Sequence, residues 1–161
     1  IYGESIYTKR WELTGQYQLP VKEKILYSVS FNDHDQDSRY GTTSYIARQK
    51  IFFHQLTWDK KMGDHDLLAG ITARYTFYDD NTPATSDSVF FKNLPTKNWL
   101  PGIFLQDEIR LNTKQQLLLG LRYDKHEVHG NIITPRLAFK WKTGDQESLR
   151  INAGSGFRVV N

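Results

Sequence analysis

The chain contains no cysteine, one methionine and five prolines among its 161 residues. Without cysteine, a disulfide framework and a zinc ribbon are excluded. No stretch approaches the roughly 18 consecutive apolar residues of a membrane helix, and the opening Ile1-Tyr2-Gly3 holds neither a start methionine nor a signal-peptide core. A helical membrane protein is excluded; a β-barrel is not. An excess of one charge is lacking too. The 21 Lys and Arg against 18 Asp and Glu leave +3, too little and too scattered for a nucleic-acid surface. What is abundant is aromatic, with nine Phe, nine Tyr and four Trp, more than a disordered chain carries.

Those apolar and aromatic residues recur with a period of two. Tyr7, Trp11, Leu13, Tyr17 and Leu19 alternate with Thr8, Arg10, Glu12, Thr14, Gln16 and Gln18, a pattern that only a strand sorts onto two faces. The same sorting returns at Ile25, Tyr27, Val29 and Phe31, and again from Leu67 to Phe77 on odd positions. Later rows run through Ile103, Leu105, Ile109 and Leu111; Leu117 to Tyr123; Pro135 to Trp141; and Leu149, Ile151 and Ala153. Residues 44–59 fit less well, because Ile51 and Phe53 fall on one face and Leu56 and Trp58 on the other. A bulge there would reconcile the halves. The expected fold is therefore all-β, an antiparallel up-and-down meander of about eight long strands. Several run to about 12–15 residues, against an average of about 5 or 6. Strands of 9 to 11 residues already cross the hydrocarbon core when tilted.

The connections alternate in kind. Pro20-Val21-Lys22-Glu23, Lys61-Met62-Gly63-Asp64, Asn112-Thr113-Lys114 and Thr143-Gly144-Asp145-Gln146 are short, whereas residues 32–43, 79–98 and 125–131 form longer links. Short turns on one rim and longer loops on the other are the habit of outer-membrane barrels. Aromatics near strand ends, among them Trp11, Trp58, Trp99 and Trp141, suit two interfacial girdles, although they could also cap the core of a soluble sandwich. If the apolar rows face lipid, the inward rows hold Arg10, Glu12, Arg74, Gln106, Glu108, Arg110, Arg122, Asp124, Arg136, Lys140 and Arg150. Such groups can pair across strands in a water-bearing lumen. Lys9 and Asp107 fall on the apolar rows; Lys9 can snorkel to the interface, while Asp107 is a misfit there.

Chemistry-bearing motifs are few. Asp33-His34-Asp35-Gln36-Asp37 has the look of a cation loop, but its sixth and twelfth positions are Ser38 and Ser44 where an EF-hand needs Gly and Glu, so a solvated acidic loop tip is expected. The run Tyr78, Asp79, Asp80, Asn81 opens the longest link and is the candidate for ligand contact. His126 and His129 are spaced so that a strand would keep their imidazoles on different faces. No nucleophile elbow, phosphate loop or dinucleotide fingerprint is present. No enzyme activity, metal or cofactor is expected.

The series Ile103-Phe104-Leu105-Gln106-Asp107-Glu108-Ile109-Arg110-Leu111, Leu119-Gly120-Leu121-Arg122-Tyr123-Asp124, Thr134-Pro135-Arg136-Leu137-Ala138-Phe139 and Ala153-Gly154-Ser155-Gly156-Phe157-Arg158 closely resembles TonB-dependent outer-membrane receptors. The upstream hairpin from Gln55 to Trp58 and Leu67 to Tyr75 is similar to the same family. This resemblance implies a middle portion of a 22-stranded transmembrane barrel in a Gram-negative outer membrane. It implies a plug domain in the lumen, energy from the inner-membrane TonB complex, and cargo such as an iron-siderophore, haem or cobalamin. The matching wall residues are Gln106, Asp107, Glu108, Gly120, Arg122, Tyr123, Pro135, Arg136, Gly156, Phe157 and Arg158. Plug and TonB box are missing from these residues, and Val159-Val160-Asn161 lacks a terminal aromatic, so residues 1–161 read as one partial barrel unit. The Gln106/Glu108 and Arg122/Asp124 rows are expected to hold the wall by salt bridges. Pro135, which cannot donate to a ladder, belongs at a strand start, bulge or exposed pairing position. A complete eight-stranded barrel serving as anchor or adhesin, and a soluble β-barrel binding a small apolar ligand, are the alternatives. With two unpaired edges, an isolated segment is expected to curl closed or to pair with a second copy.

Overall fold

Alternation by two produces strands along almost the whole chain. The computed structural model describes residues 3–87 and 92–158; Ile1, Tyr2, Val159, Val160 and Asn161 lie outside the described residues, as does part of the predicted long link. The strands are β1 (Glu4–Gln18), β2 (Lys24–Tyr40), β3 (Thr43–Met62), β4 (His65–Asp80), β5 (Ser86–Asp87), β6 (Lys92–Asn93), β7 (Thr96–Arg110), β8 (Gln115–His126), β9 (Gly130–Lys142) and β10 (Ser148–Gly154). Eight of them form one antiparallel sheet in the order β1-β2-β3-β4-β7-β8-β9-β10, and β5 with β6 makes a small ribbon in the long loop. Every long strand therefore pairs with its neighbours in sequence, the expected meander. Among the described residues β1 and β10 do not pair with each other, so the expected curling closed does not occur.

Two expectations are corrected. Residues 44–59 contain no bulge: the registers of β3 with β2 and with β4 run unbroken. Ile51 and Phe53 simply occupy the polar face of a regular strand, while Phe52 and His54 continue the row of Leu56 and Trp58. Residues 32–43 are not a loop either, because β2 runs on to Tyr40 and turns tightly through Gly41 and Thr42 into β3. The acidic run is thus a strand segment. Asp33, Asp35 and Asp37 point one way and His34 and Gln36 the other.

The registers also fix a tilt. The row of directly opposed residues that starts at Tyr17, next to the short-turn end of β1, passes through Tyr27, Leu56, Ile71 and Ile103 to Tyr123, close to the long-loop end of β8. A stagger of this kind accumulates only when strands lean against the axis they wrap, as barrel closure requires.

The faces decide what the sheet is for. Nearly all exposed large apolar side chains within the strands lie on the face of Trp11, Ile71, Ile103, Leu105, Leu121 and Leu137. Ile103 is 55% and Leu121 56% exposed. The buried strand residues, including Thr72 at 5%, Asp124 at 0% and His126 at 2%, all lie on the opposite face. Among the described residues the only buried apolar side chains are Ala47 and Leu100. A sheet of this length with no apolar core gains little from water. Burying one Leu or Ile in hydrocarbon is worth roughly 1.5–3 kcal/mol, so the exposed rows supply the driving force once lipid covers them. The polar face is then the lumen wall.

Candidate functional site

The outward face carries an apolar band bounded by aromatic side chains. On the long-loop side Tyr75 and Trp99 sit directly opposite each other with ring centroids 5.0 Å apart, and Phe31 meets Phe52 edge-on at 6.3 Å. On the short-turn side Trp58 donates its Nε1 hydrogen to Glu23 at 3.3 Å, the ring-in, polar-edge-out posture of an interfacial tryptophan. Lys60 bonds the same carboxylate at 3.0 Å. Together Lys60 and Trp58 hold the Glu23 carboxyl below its usual range. Asp107, the misfit on the apolar row, accepts or shares a hydrogen bond with His65 Nδ1 at 2.6 Å near the short-turn ends of β7 and β4. Beyond the aromatic rows the same face turns charged. Asp33 meets Arg48 at 3.4 Å and Lys50 at 3.3 Å, and Arg48 reaches Asp35 at 3.1 Å. Burial opposes ionisation of Asp33, but Arg48 and Lys50 outweigh it and lower its pKa.

The luminal face is built around a closed polar cluster. Arg122 bonds both oxygens of Asp124, at 2.7 and 2.6 Å, and donates to Thr72 Oγ1 at 3.0 Å. Gly102 stands opposite both Thr72 and Asp124; a Cβ there would collide with the Asp124 carboxylate and come within 2.9 Å of Thr72 Oγ1. The sequence reading missed Gly102 and Thr72, although a glycine inside the strand Trp99-Leu100-Pro101-Gly102-Ile103 signals a close approach. The expected bridge between the Gln106/Glu108 and Arg122/Asp124 rows is absent. Arg122 pairs within its own strand, because Arg122 stands opposite Phe104, and Gln106 opposite Gly120. Gly120 faces Arg136 across the next ladder. Tyr123, opposite Ile133, points outward and reaches Asn131 at 3.0 Å. Pro135 lies inside β9 opposite Leu121, yet its carbonyl accepts from Ser155 just past the end of β10. Its missing N–H therefore faces the side where the ladder stops. Gly156, Phe157 and Arg158 follow β10 outside any strand and are exposed.

The four candidate ligand residues divide between faces. Alternation puts Tyr78 and Asp80 on the luminal face and Asp79 on the outward one, while Asp79, Asp80 and Asn81 all line a cleft of 560 Å³ with Lys9, Asp37 and Arg48. Their polar atoms lock the root of the long loop. Tyr78 bonds Tyr45 at 2.8 Å and Asp80 at 2.7 Å. Asp80 accepts from the Thr82 amide, the Thr82 hydroxyl and Thr85 Oγ1. Asn81 ties the backbone of Ser44 and Ile46. Burial, reinforced by the Tyr45 and Asp80 hydrogen bonds, pushes the Tyr78 phenol up. For Asp80 burial opposes ionisation, but the bonds from Tyr78, Thr82 and Thr85 prevail and lower its pKa. At the next loop the two imidazoles do meet, contrary to expectation. The turn at residues 127–129 folds back and stacks His129 on His126 at 4.7 Å. His126 Nδ1 accepts the Val128 and His129 amides, which leaves it no free lone pair for a metal. Among the described residues no His, Cys, Asp and Glu group could hold a metal ion.

A long-stranded meander, apolar outside and polar inside, with short turns on one rim, matches a known family model. That model, described as TonB dependent receptor-like, beta-barrel, covers residues 4–160. The chain belongs to the TonB-dependent receptor family. Its fold is similar to the siderophore receptor PirA from Pseudomonas aeruginosa, with a TM-score of 0.69 and 14% identity over 98% of this chain and 28% of that one. It is also similar to PirA from Acinetobacter baumannii, with a TM-score of 0.66 and 15% identity over 91% of this chain and 24% of that one. The chain thus spans about a quarter of the length of these receptors. No curated protein sequence matches it. In the wall of a TonB-dependent receptor, the rows of Leu105 and Leu121 are the exterior and the Arg122 cluster the interior.

Proposed function

We propose that residues 1–161 form one partial barrel unit of an outer-membrane receptor that imports a scarce, bulky nutrient, an iron-siderophore before haem or cobalamin. The segment supplies lipid-facing wall and outer loops; the rest of the barrel and a plug domain come from other parts of the polypeptide, and the TonB complex of the inner membrane supplies energy. The observation that carries this reading is the inversion of the sheet, whose large apolar rows are exposed while Thr72, Asp124 and His126 are covered. A soluble barrel binding an apolar ligand would cover the opposite face. A complete eight-stranded barrel would need β1 to pair with β10, and the sheet order lacks that pairing. The siderophore preference is supported by the receptors whose fold this segment shares. Within this reading Tyr78, Asp79, Asp80 and Asn81 act on cargo indirectly, by fixing the loop that rises from them. The test is growth and radiolabelled-iron uptake in a strain deleted for the full receptor, supplied singly with limiting siderophores, haem or cobalamin. Loss of uptake for one ferric siderophore, restored by the intact gene, supports the proposal. Unchanged uptake of all three classes overturns it.

A further inference from the structure

A carboxylate interrupts the outward apolar rows toward the short-turn end of β7. Ile71, Ile103, Leu105, Leu121 and Leu137 line an outward hollow of 1180 Å³, and Asp107 is the only carboxylate on its wall. Leu67 and Leu119 stand directly opposite Asp107 on the two neighbouring strands, so neither cross-strand side chain offers it a donor. His65 Nδ1 shares a hydrogen bond with one oxygen, Oδ2, at 2.6 Å. The other oxygen, Oδ1, is buried and has no hydrogen-bond partner among the described residues. A buried acceptor without a donor costs free energy, and a pair that served only to join β4 to β7 would need one oxygen. An ionisable side chain on a membrane-facing surface is expensive and marks a site. On the same cross-strand row Lys60 is opposite Leu67, two strand spacings or about 10 Å from Asp107. It gives one hydrogen to Glu23 at 3.0 Å, and an ammonium has three to give.

We propose that Asp107 and Lys60 hold the head group of an aminophospholipid whose acyl chains lie in the hollow. The proposal rests on the outward face meeting lipid. Charge complementarity selects this occupant. A primary ammonium donates N–H bonds to the free Oδ1, a charge-assisted contact, while the phosphate at the other end of the two-carbon linker turns toward Lys60. From Asp107 the hollow runs over Leu105 and Leu121 toward the middle of the apolar band, which is the course the chains need. A choline head brings the same positive charge without an N–H and leaves Oδ1 unpaired; a glycerol head brings no cation at all. Lipid chosen in this way fixes the height of the wall in the leaflet on the short-turn side.

The test uses the intact receptor with a photoreactive benzophenone side chain in place of Leu137, inside the hollow. It is reconstituted into vesicles of equal parts dioleoyl phosphatidylethanolamine, phosphatidylcholine and phosphatidylglycerol and irradiated. Mass spectrometry of the cross-linked peptide then identifies the captured lipid. The expected adduct is phosphatidylethanolamine, enriched about fivefold or more over phosphatidylcholine, as one charge-assisted hydrogen bond provides. The enrichment falls to parity in Asp107→Asn, which keeps the size of the side chain, and is reduced in Lys60→Gln. Equal capture of the ethanolamine and choline lipids, preference for the glycerol lipid, or an enrichment that survives Asp107→Asn would each overturn the proposal. Equal capture leaves the face against lipid and the import reading untouched, whereas absence of any lipid adduct would overturn the proposal together with the assignment of this face.

Discussion

Two stretches of the same lumen wall treat charge in opposite ways. In the middle, Arg122, Asp124, Thr72 and Gly102 form a set in which every strong donor has its acceptor inside the wall. At the short-turn rim, Arg110, Lys140 and Arg150 share a row with Gln116, and Lys140 stands directly opposite Arg150. The first arrangement stabilises the strands that make it. The second sets like charges directly opposite each other, which weakens the pairing of the strands that carry them. Satisfied polar clusters therefore mark wall construction here.

The contrast can be broken hardest at its closed end. Asp124→Ala leaves the Arg122 guanidinium half-buried without its counter-charge, and we expect a loss of about 3–5 kcal/mol. Urea unfolding of the receptor in lipid vesicles measures it, and a loss under 1 kcal/mol would show that the cluster is not structural. On the exterior, Leu121→Lys sets an ammonium in the apolar band and should cost about 2–4 kcal/mol in the same assay. The same change at luminal Gln106 should cost less than half as much. The loop root should respond to acid. The Asp80 carboxyl has its pKa lowered by folding, so its stabilisation is full above the unfolded value of about 3.9 and is lost as pH falls through the lower folded value. Limited proteolysis of the long loop should therefore accelerate below about pH 4. Asp80→Asn, which weakens the acceptor for Thr82 and Thr85, should cost about 1–3 kcal/mol and remove that acid dependence. The smallest effect belongs to the exposed Arg10 and Glu12 pair. Arg10→Gln should change stability by less than about 1 kcal/mol.

What the sequence showed and what it hid follow from the same physics. Period-two rows such as Leu117, Leu119, Leu121 and Tyr123 are local, so strand order and faces were readable along the chain. The false bulge at Ile51 and Phe53 arose because a lumen wall tolerates apolar side chains, which erases the polar signal of that face. The false loop at Asp33 to Asp37 arose because strands that project past the membrane carry polar residues on both faces, here Asp33, Asp35 and Asp37 on one and His34, Gln36 and Ser38 on the other. Long-range partners left no local trace. Nothing near Asp107 announces His65, which comes from another strand, and Lys140 beside Arg150 becomes visible only once the register of β9 and β10 is known. Of the four consecutive candidates, Asp79, Asp80 and Asn81 line one cleft and Tyr78 does not, a division that no local pattern announces.

The central claim is that the row of Leu105 and Leu121 meets lipid while the row of Gln106 and Gln116 meets the lumen. This segment has no cysteine of its own, so single cysteines at these four positions, spin-labelled in the receptor reconstituted into vesicles, report each face separately. The account predicts that labels at positions 105 and 121 collide with oxygen dissolved in the bilayer and are shielded from an aqueous nickel chelate, with the opposite ranking at 106 and 116. Equal accessibility at all four positions, or the reverse order, would contradict it.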